Sequence, residues 1–157
     1  MGSDLTCDWV TKMQQPENTV LVATDQTRLD LVVPFTTPEL TRAALAAASR
    51  MGTGLHASIR LIKVQCVPYP LALNESPVFI DFLRQQLNSF HSTLPLSSEI
   101  HFARDFGPGL DHGLSQDSVV VLSYRKRPWR TRNERIAASL IRTGRKVILI
   151  QQEINHA

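Results

Sequence analysis

The 157-residue chain is 43% hydrophobic and 20% charged, long enough for one domain with a real core and ordinary in composition for a globular protein. No apolar run reaches the length that spans a bilayer, the N-terminus has no apolar signal-peptide core, and Cys7 and Cys66 form no metal or redox motif. These features exclude a membrane-spanning segment and a cysteine-built site, and they give the expectation of a cytoplasmic protein with reduced thiols.

Residues 1–18 show no clear period and are expected to form a flexible leader ahead of a single α/β domain over residues 19–157. Two β-like runs follow, at residues 19–25 and 29–35. The linker between them is too short for a parallel crossover, which takes about a dozen residues. The pair therefore reads as an antiparallel hairpin, or as a central strand with an added N-terminal strand. The first helix begins at Pro38. Thr37 can cap it, and Thr36 with Glu39 fits a capping box. Leu40, Ala43, Ala44, Ala47, Ala48 and Met51 fall on one face, and Gly52 and Gly54 supply the stop.

The next strand spans residues 57–67 and ends on Pro68 and Pro70. Ser76-Pro77 opens a second helix whose apolar face carries Phe79, Phe82, Leu83, Leu87 and Phe90. These aromatics are expected in the core. Residues 96–104 alternate as an edge strand does, with Ile100 and Phe102 on one side and Glu99, His101 and Ala103 on the other. Gly107, Pro108, Gly109 and Gly113 then leave room for only a turn or two of helix. The run at residues 118–124 lacks alternation, as a central parallel strand covered on both faces does. Thr131 and Glu134 form a capping box for the last helix, which buries Ile136, Ala137, Leu140 and Ile141. Residues 147–150 form the last strand. Strands alternating with helices in this order predict a doubly wound α/β sheet.

Charge is unevenly placed. Residues 1–124 carry 8 Lys/Arg and 12 Asp/Glu, whereas residues 125–157 carry 9 Lys/Arg and 2 Asp/Glu. The loop at residues 125–135 holds most of that excess and leaves the carboxyl end of the fourth strand, where open α/β sheets bind ligands. Guanidinium groups can grip phosphate bidentately, and Trp129 could stack on a base. The plainer reading is a solvated basic loop in which Trp129 anchors the loop to the body. No catalytic set stands out: Asp111, His112 and Ser115 lie close in sequence without a nucleophile-elbow pattern, and the histidines have no metal-ligand spacing.

Three stretches carry a family resemblance. Asp30-Leu-Val-Val-Pro-Phe runs directly into Thr-Thr-Pro-Glu-Leu-Thr-Arg-Ala-Ala-Leu. Ile62-Lys-Val-Gln-Cys-Val-Pro ends a strand on proline, and Leu114-Ser-Gln-Asp-Ser-Val-Val-Val-Leu-Ser leads into the fourth strand. Over roughly residues 30–151 this order resembles the universal stress protein family. The resemblance implies a three-layer α/β/α sandwich around a five-stranded parallel sheet of order 3-2-1-4-5. It also implies a homodimer formed through the last strand. Many members bind ATP, using an Asp at the end of the first strand and a glycine motif after the fourth. Asp25 matches the first feature if residues 20–24 are that strand; Phe35 or Thr36 takes the position if residues 31–34 are. The second alignment is preferred, because the helix starts directly after Phe35. No glycine lies between Gly113 and Gly144, so the backbone cradle for phosphates is absent.

The expected function is a non-enzymatic, stress-protein-like regulatory domain that acts by dimerisation and contacts with a protein partner, with no required cofactor. The alternative is a domain that senses an anion or nucleotide such as ATP, a phosphate-containing small molecule. Its candidate residues are Arg125, Lys126, Arg127, Trp129, Arg130 and Arg132, with Thr36 and Val64 at the ends of the first two strands. A third reading is the cytosolic regulatory module of a transporter or sensor kinase. Nucleic acid is disfavoured, because the basic patch is short and carries one aromatic.

Overall fold

The computed structural model describes residues 28–75 and 78–153. The leader, the run at residues 19–25 with Asp25, and the Ser76-Pro77 helix start lie outside them. Five strands, β1 (Leu29–Pro34), β2 (Ala57–Cys66), β3 (Leu96–Ala103), β4 (Val119–Arg125) and β5 (Lys146–Gln152), form one sheet. Its order is β3-β2-β1-β4-β5, and every neighbouring pair is parallel. Four helices complete the fold: α1 (Pro38–Gly52), α2 (Ile80–Asn88), α3 (Phe106–His112) and α4 (Arg132–Arg142). The three-layer doubly wound sandwich is thus observed, with residues 29–34 as its central strand.

The period-two side-chain alternation of the strands splits the core in two. Leu31, Val33, Ile59, Leu61 and Val121 face α1 and α2, where they meet Ala44, Leu45, Ala48 and Leu87. Val32, Ile62, Val64, Val120 and Leu122 face α3 and α4, where they meet Leu110, Ala137 and Leu140. Each fully buried Val, Leu or Ile contributes about 1.5–3 kcal/mol. The continuous apolar run of β4 is explained by its place: Val120, Val121 and Leu122 are buried on both faces of the sheet.

Three local expectations need correction, the first in α4, where Ala137 and Leu140 are buried and Ile136 half-buried but Ile141, in the last turn, is 59% exposed. The cap of α1 is Thr37 alone, whose hydroxyl accepts from the Leu40 N–H. Thr36 is not part of a capping box, because Pro38 at the first helical position sets Thr37 as the cap, and the Glu39 carboxylate turns away to Arg125. In α2, Leu83, Leu87 and the following Phe90 are buried, but Phe79 is 85% exposed and Phe82 59%. The helix starts only at Ile80 and lies over the sheet edge at β3, so its outer apolar positions overhang the core. The capping box of α4 is present in full: Thr131 accepts from the Glu134 N–H, and the Glu134 carboxylate accepts from the Thr131 N–H at 2.6 Å.

Candidate functional site at the carboxyl edge of the sheet

The sheet opens where β1 and β4 part. Their pairing runs through Leu31 with Val119 and Val32 with Val120, while β1 stays paired with β2 as far as Pro34 with Ile62. Proline explains the asymmetry. Backbone N–H groups alternate between neighbours along a strand, and those of Leu29 and Phe35 bond to β2 at His56 and Ile62. The nitrogen of Pro34 therefore faces β4, and it has no hydrogen to give. A cleft of about 280 Å³ forms there, lined by Thr36, Glu39, Tyr124, Arg125, Arg127, Arg132 and Asn133 among others.

Polar side chains fasten the base of this cleft. The Asn133 Nδ2 donates to the Ser123 carbonyl at 2.7 Å and to the Thr36 Oγ1 at 3.2 Å. The Ser123 Oγ donates to the Leu40 carbonyl at 2.6 Å. Asn133 and Ser123 are only 3% and 1% exposed, so each bond satisfies a group that would otherwise be stranded, at a cost of about 1–3 kcal/mol. Together they tie the end of β4 to the first turns of α1 and α4 across the gap. Sequence reasoning missed both residues. The available signal was a serine inside an otherwise apolar central strand, which needs a buried partner.

The candidate residues divide. Arg125, Arg127, Arg132 and Thr36 meet at the cleft. Arg125 is already paired with Glu39 at 2.6 Å, and Arg132 lies 5.0 Å above the Phe106 ring. Lys126, Trp129 and Arg130 stand in solvent beyond it. Trp129 is 65% exposed, so it does not anchor the loop. Val64 lies in the core against α3, 5% exposed. The α4 N-terminus is capped by its own Glu134, whose hydrogen bonds from the Thr131 backbone and hydroxyl hold its carboxyl below the usual range. Nearby, the Lys63 ammonium sits 4.3 Å over the Phe35 ring. Burial lowers its pKa, and the charge of Arg132 adds to the effect against the opposing influence of Cys66. Among the described residues neither Lys63 nor Arg132 has a carboxylate partner.

A second polar cluster crosses the amino end of the sheet. The Arg60 guanidinium donates to both oxygens of Asp30, at 2.9 and 2.7 Å, and to Glu99 at 3.2 Å. The Ser118 hydroxyl donates to Asp30 at 2.6 Å, and His101 bonds Glu99 at 2.9 Å. The Arg60 bonds, supported by Ser118, lower the Asp30 pKa despite its partial burial. Burial alone would raise that of Glu99, but His101 and Arg60 outweigh it and the net shift is downward. Asp111, His112 and Ser115 form no triad: Asp111 pairs with Arg145, Ser115 bonds Ser118, and His112 is exposed. Among the described residues no cluster of His, Cys, Asp or Glu could hold a metal ion, and no helix is long and apolar enough to cross a membrane.

Compared with known proteins, the chain matches no family model and no curated protein.

Proposed function

We propose that this chain is a non-enzymatic regulatory domain of the universal stress protein type, acting by dimerisation through β5 and by contacts with a protein partner. The observation that carries this reading is the β5 edge. Among the described residues that strand pairs with β4 alone, so its outer row of backbone N–H and C=O groups has no neighbour there in the sheet. Ile148 and Leu149, which point to opposite faces, remain 36% and 37% exposed. A second copy continuing the sheet would cover both. The fastened cleft between β1 and β4 supports a role without ATP. At about 280 Å³ it falls below the usual range for small-molecule sites, about 300–1,000 Å³, and it lacks backbone donors from glycine.

A second reading, an anion-responsive domain, is favoured by Arg127 and Arg132 at the same cleft, neither of which forms a salt bridge among the described residues. Its ligand would be small, held by side chains rather than by a phosphate loop.

Sedimentation equilibrium tests the first reading. The parent is expected to be a dimer and the Ile148→Lys/Leu149→Lys variant a monomer with an unchanged circular dichroism spectrum. A parent that stays monomeric throughout the accessible concentration range would sink the proposal. Calorimetric titration with ATP at millimolar concentration is expected to show no saturable binding, and tight binding would reverse the assignment of the cleft.

A further inference from the structure

A different cavity, on the other side of α4, carries a ligand proposal of its own. Helix α3 has seven residues and α4 eleven, so by rise per residue they run about 10 and 16 Å. The shorter helix cannot cover the longer one. Between them lies a cleft of about 510 Å³. Its floor is Leu110 and Leu140, both buried, and its walls include Phe106, Pro108 and Ile136. That volume sits inside the range for small-molecule sites.

The two ends of the cleft differ in charge. Along α4 the lining residues Arg132, Arg135, Ile136, Ser139, Leu140 and Thr143 follow helical spacing, so one stripe passes from cationic to apolar to hydroxyl. At the cationic end, Arg132 rests on Phe106, and Arg135 donates only to the Arg130 carbonyl at 3.4 Å. Among the described residues neither arginine has a carboxylate partner. At the far end, Asp111 is already matched by Arg145 at 2.9 Å. The free charge of the cleft is thus confined to one mouth, and an apolar channel leads away from it.

We propose that this cleft binds a free anionic single-chain amphiphile. Arg132 and Arg135 hold its oxyanion head, a carboxylate or a phosphate monoester, and the apolar tail lies between α3 and α4. Both heads offer the paired acceptors that guanidinium groups recognise. The tail gains by removing its methylenes, and those of Phe106 and Ile136, from water.

Calorimetric titration of the full chain provides the test, with decanoate and decyl phosphate as probes, each below the concentration at which it forms micelles. Both are expected to bind one per chain. Methyl decanoate, which keeps the tail and loses the charge, and inorganic phosphate, which keeps the charge and loses the tail, are each expected to bind weaker by about tenfold or more. The Arg132→Ala/Arg135→Ala variant should show the same loss for decanoate. Gly107→Leu gives an independent arm. A Cβ there meets nothing within 4 Å, so the substitution introduces no backbone-level clash, and it adds bulk at a residue that lines the cleft. It should abolish binding of both amphiphiles. The proposal is overturned if the parent binds neither probe, if the methyl ester binds as well as the acid, or if Gly107→Leu binds like the parent.

Discussion

Arg60 holds two carboxylates at once, Asp30 on β1 and Glu99 on β3, from its place on the strand between them. It is about one-fifth exposed, so little water screens these bonds. Both carboxyl groups have lowered pKa values in the folded chain. A lowered folded pKa means that the folded state binds protons less readily than the unfolded one. The stability that results is present in full above the ordinary carboxyl values of 3.8 and 4.5, and it is lost as pH falls through the lowered folded values. Arg60→Met keeps the bulk and removes the charge. At neutral pH it is expected to cost about 2 kcal/mol, because it takes the shared guanidinium from two half-buried carboxylates and leaves them only Ser118 and His101. Below about pH 4 those carboxylates take up protons, and the gap between parent and variant should narrow. Urea unfolding across that range measures both, and a gap that stays constant in acid would refute the account. The sequence announced only half of this cluster. Asp30 and Arg60 each interrupt an apolar strand, which demands a partner, but pairing depends on register. Only the alignment of Val32 with Arg60 brings the guanidinium beside Asp30.

The shortness of α3 was legible in its glycines, but their separate roles were not. A Cβ at Gly109 would lie 2.6 Å from the Ala103 Cβ and 2.7 Å from Val64 Cγ1. Neither neighbour can retreat: Ala103 has no side-chain torsion, and Val64 is locked in the core. Gly109 therefore lets α3 lie close on β2 and β3. At Gly107 a Cβ enters open space. Gly109→Ala is expected to destabilise by about 1–3 kcal/mol through overpacking. Gly107→Ala should be neutral, or stabilise by up to about 1 kcal/mol through helix propensity. Thermal melts of the two variants, side by side, decide it, and equal effects would refute the close-approach argument. The same limit on reading a sequence shows in α2. Its helical spacing was correct, but spacing cannot say how far a helix overhangs a sheet edge, and so Phe79 and Phe82 were wrongly placed inside. The strands were legible because each has its own signal: alternation at the edge strand β3, and a continuous apolar run in the centre at β4.

At the scale of the molecule, the charge asymmetry of the sequence is real, but its linear sum overstates it. Arg125 is matched by Glu39 and Arg145 by Asp111, both carboxylates from the acidic part of the chain. What remains at the carboxyl edge is Lys126, Arg127 and Arg130 on an exposed loop, with Arg132, Arg135 and Lys63 behind it. Among the described residues none of these six cations forms a salt bridge, although the charge of Arg130 acts on the Glu134 carboxylate. At the amino edge, by contrast, Asp30 and Glu99 share Arg60. Folding thus gathers onto this loop, and the residues behind it, cations that ion pairs leave unmatched. Their field acts mainly on the association rate and fades within about 8–10 Å at physiological salt. A poly-glutamate peptide is a suitable probe of it. Binding should weaken steeply as salt rises. The Lys126→Ala/Arg127→Ala/Arg130→Ala variant should bind more weakly at low salt and lose most of that salt dependence, with its melting temperature unchanged because these side chains support no packing. Measuring affinity against ionic strength for both proteins separates a field from a contact. If the variant retains the parent's salt dependence, the exposed loop is not the source of the attraction, and the arginines at the two clefts are.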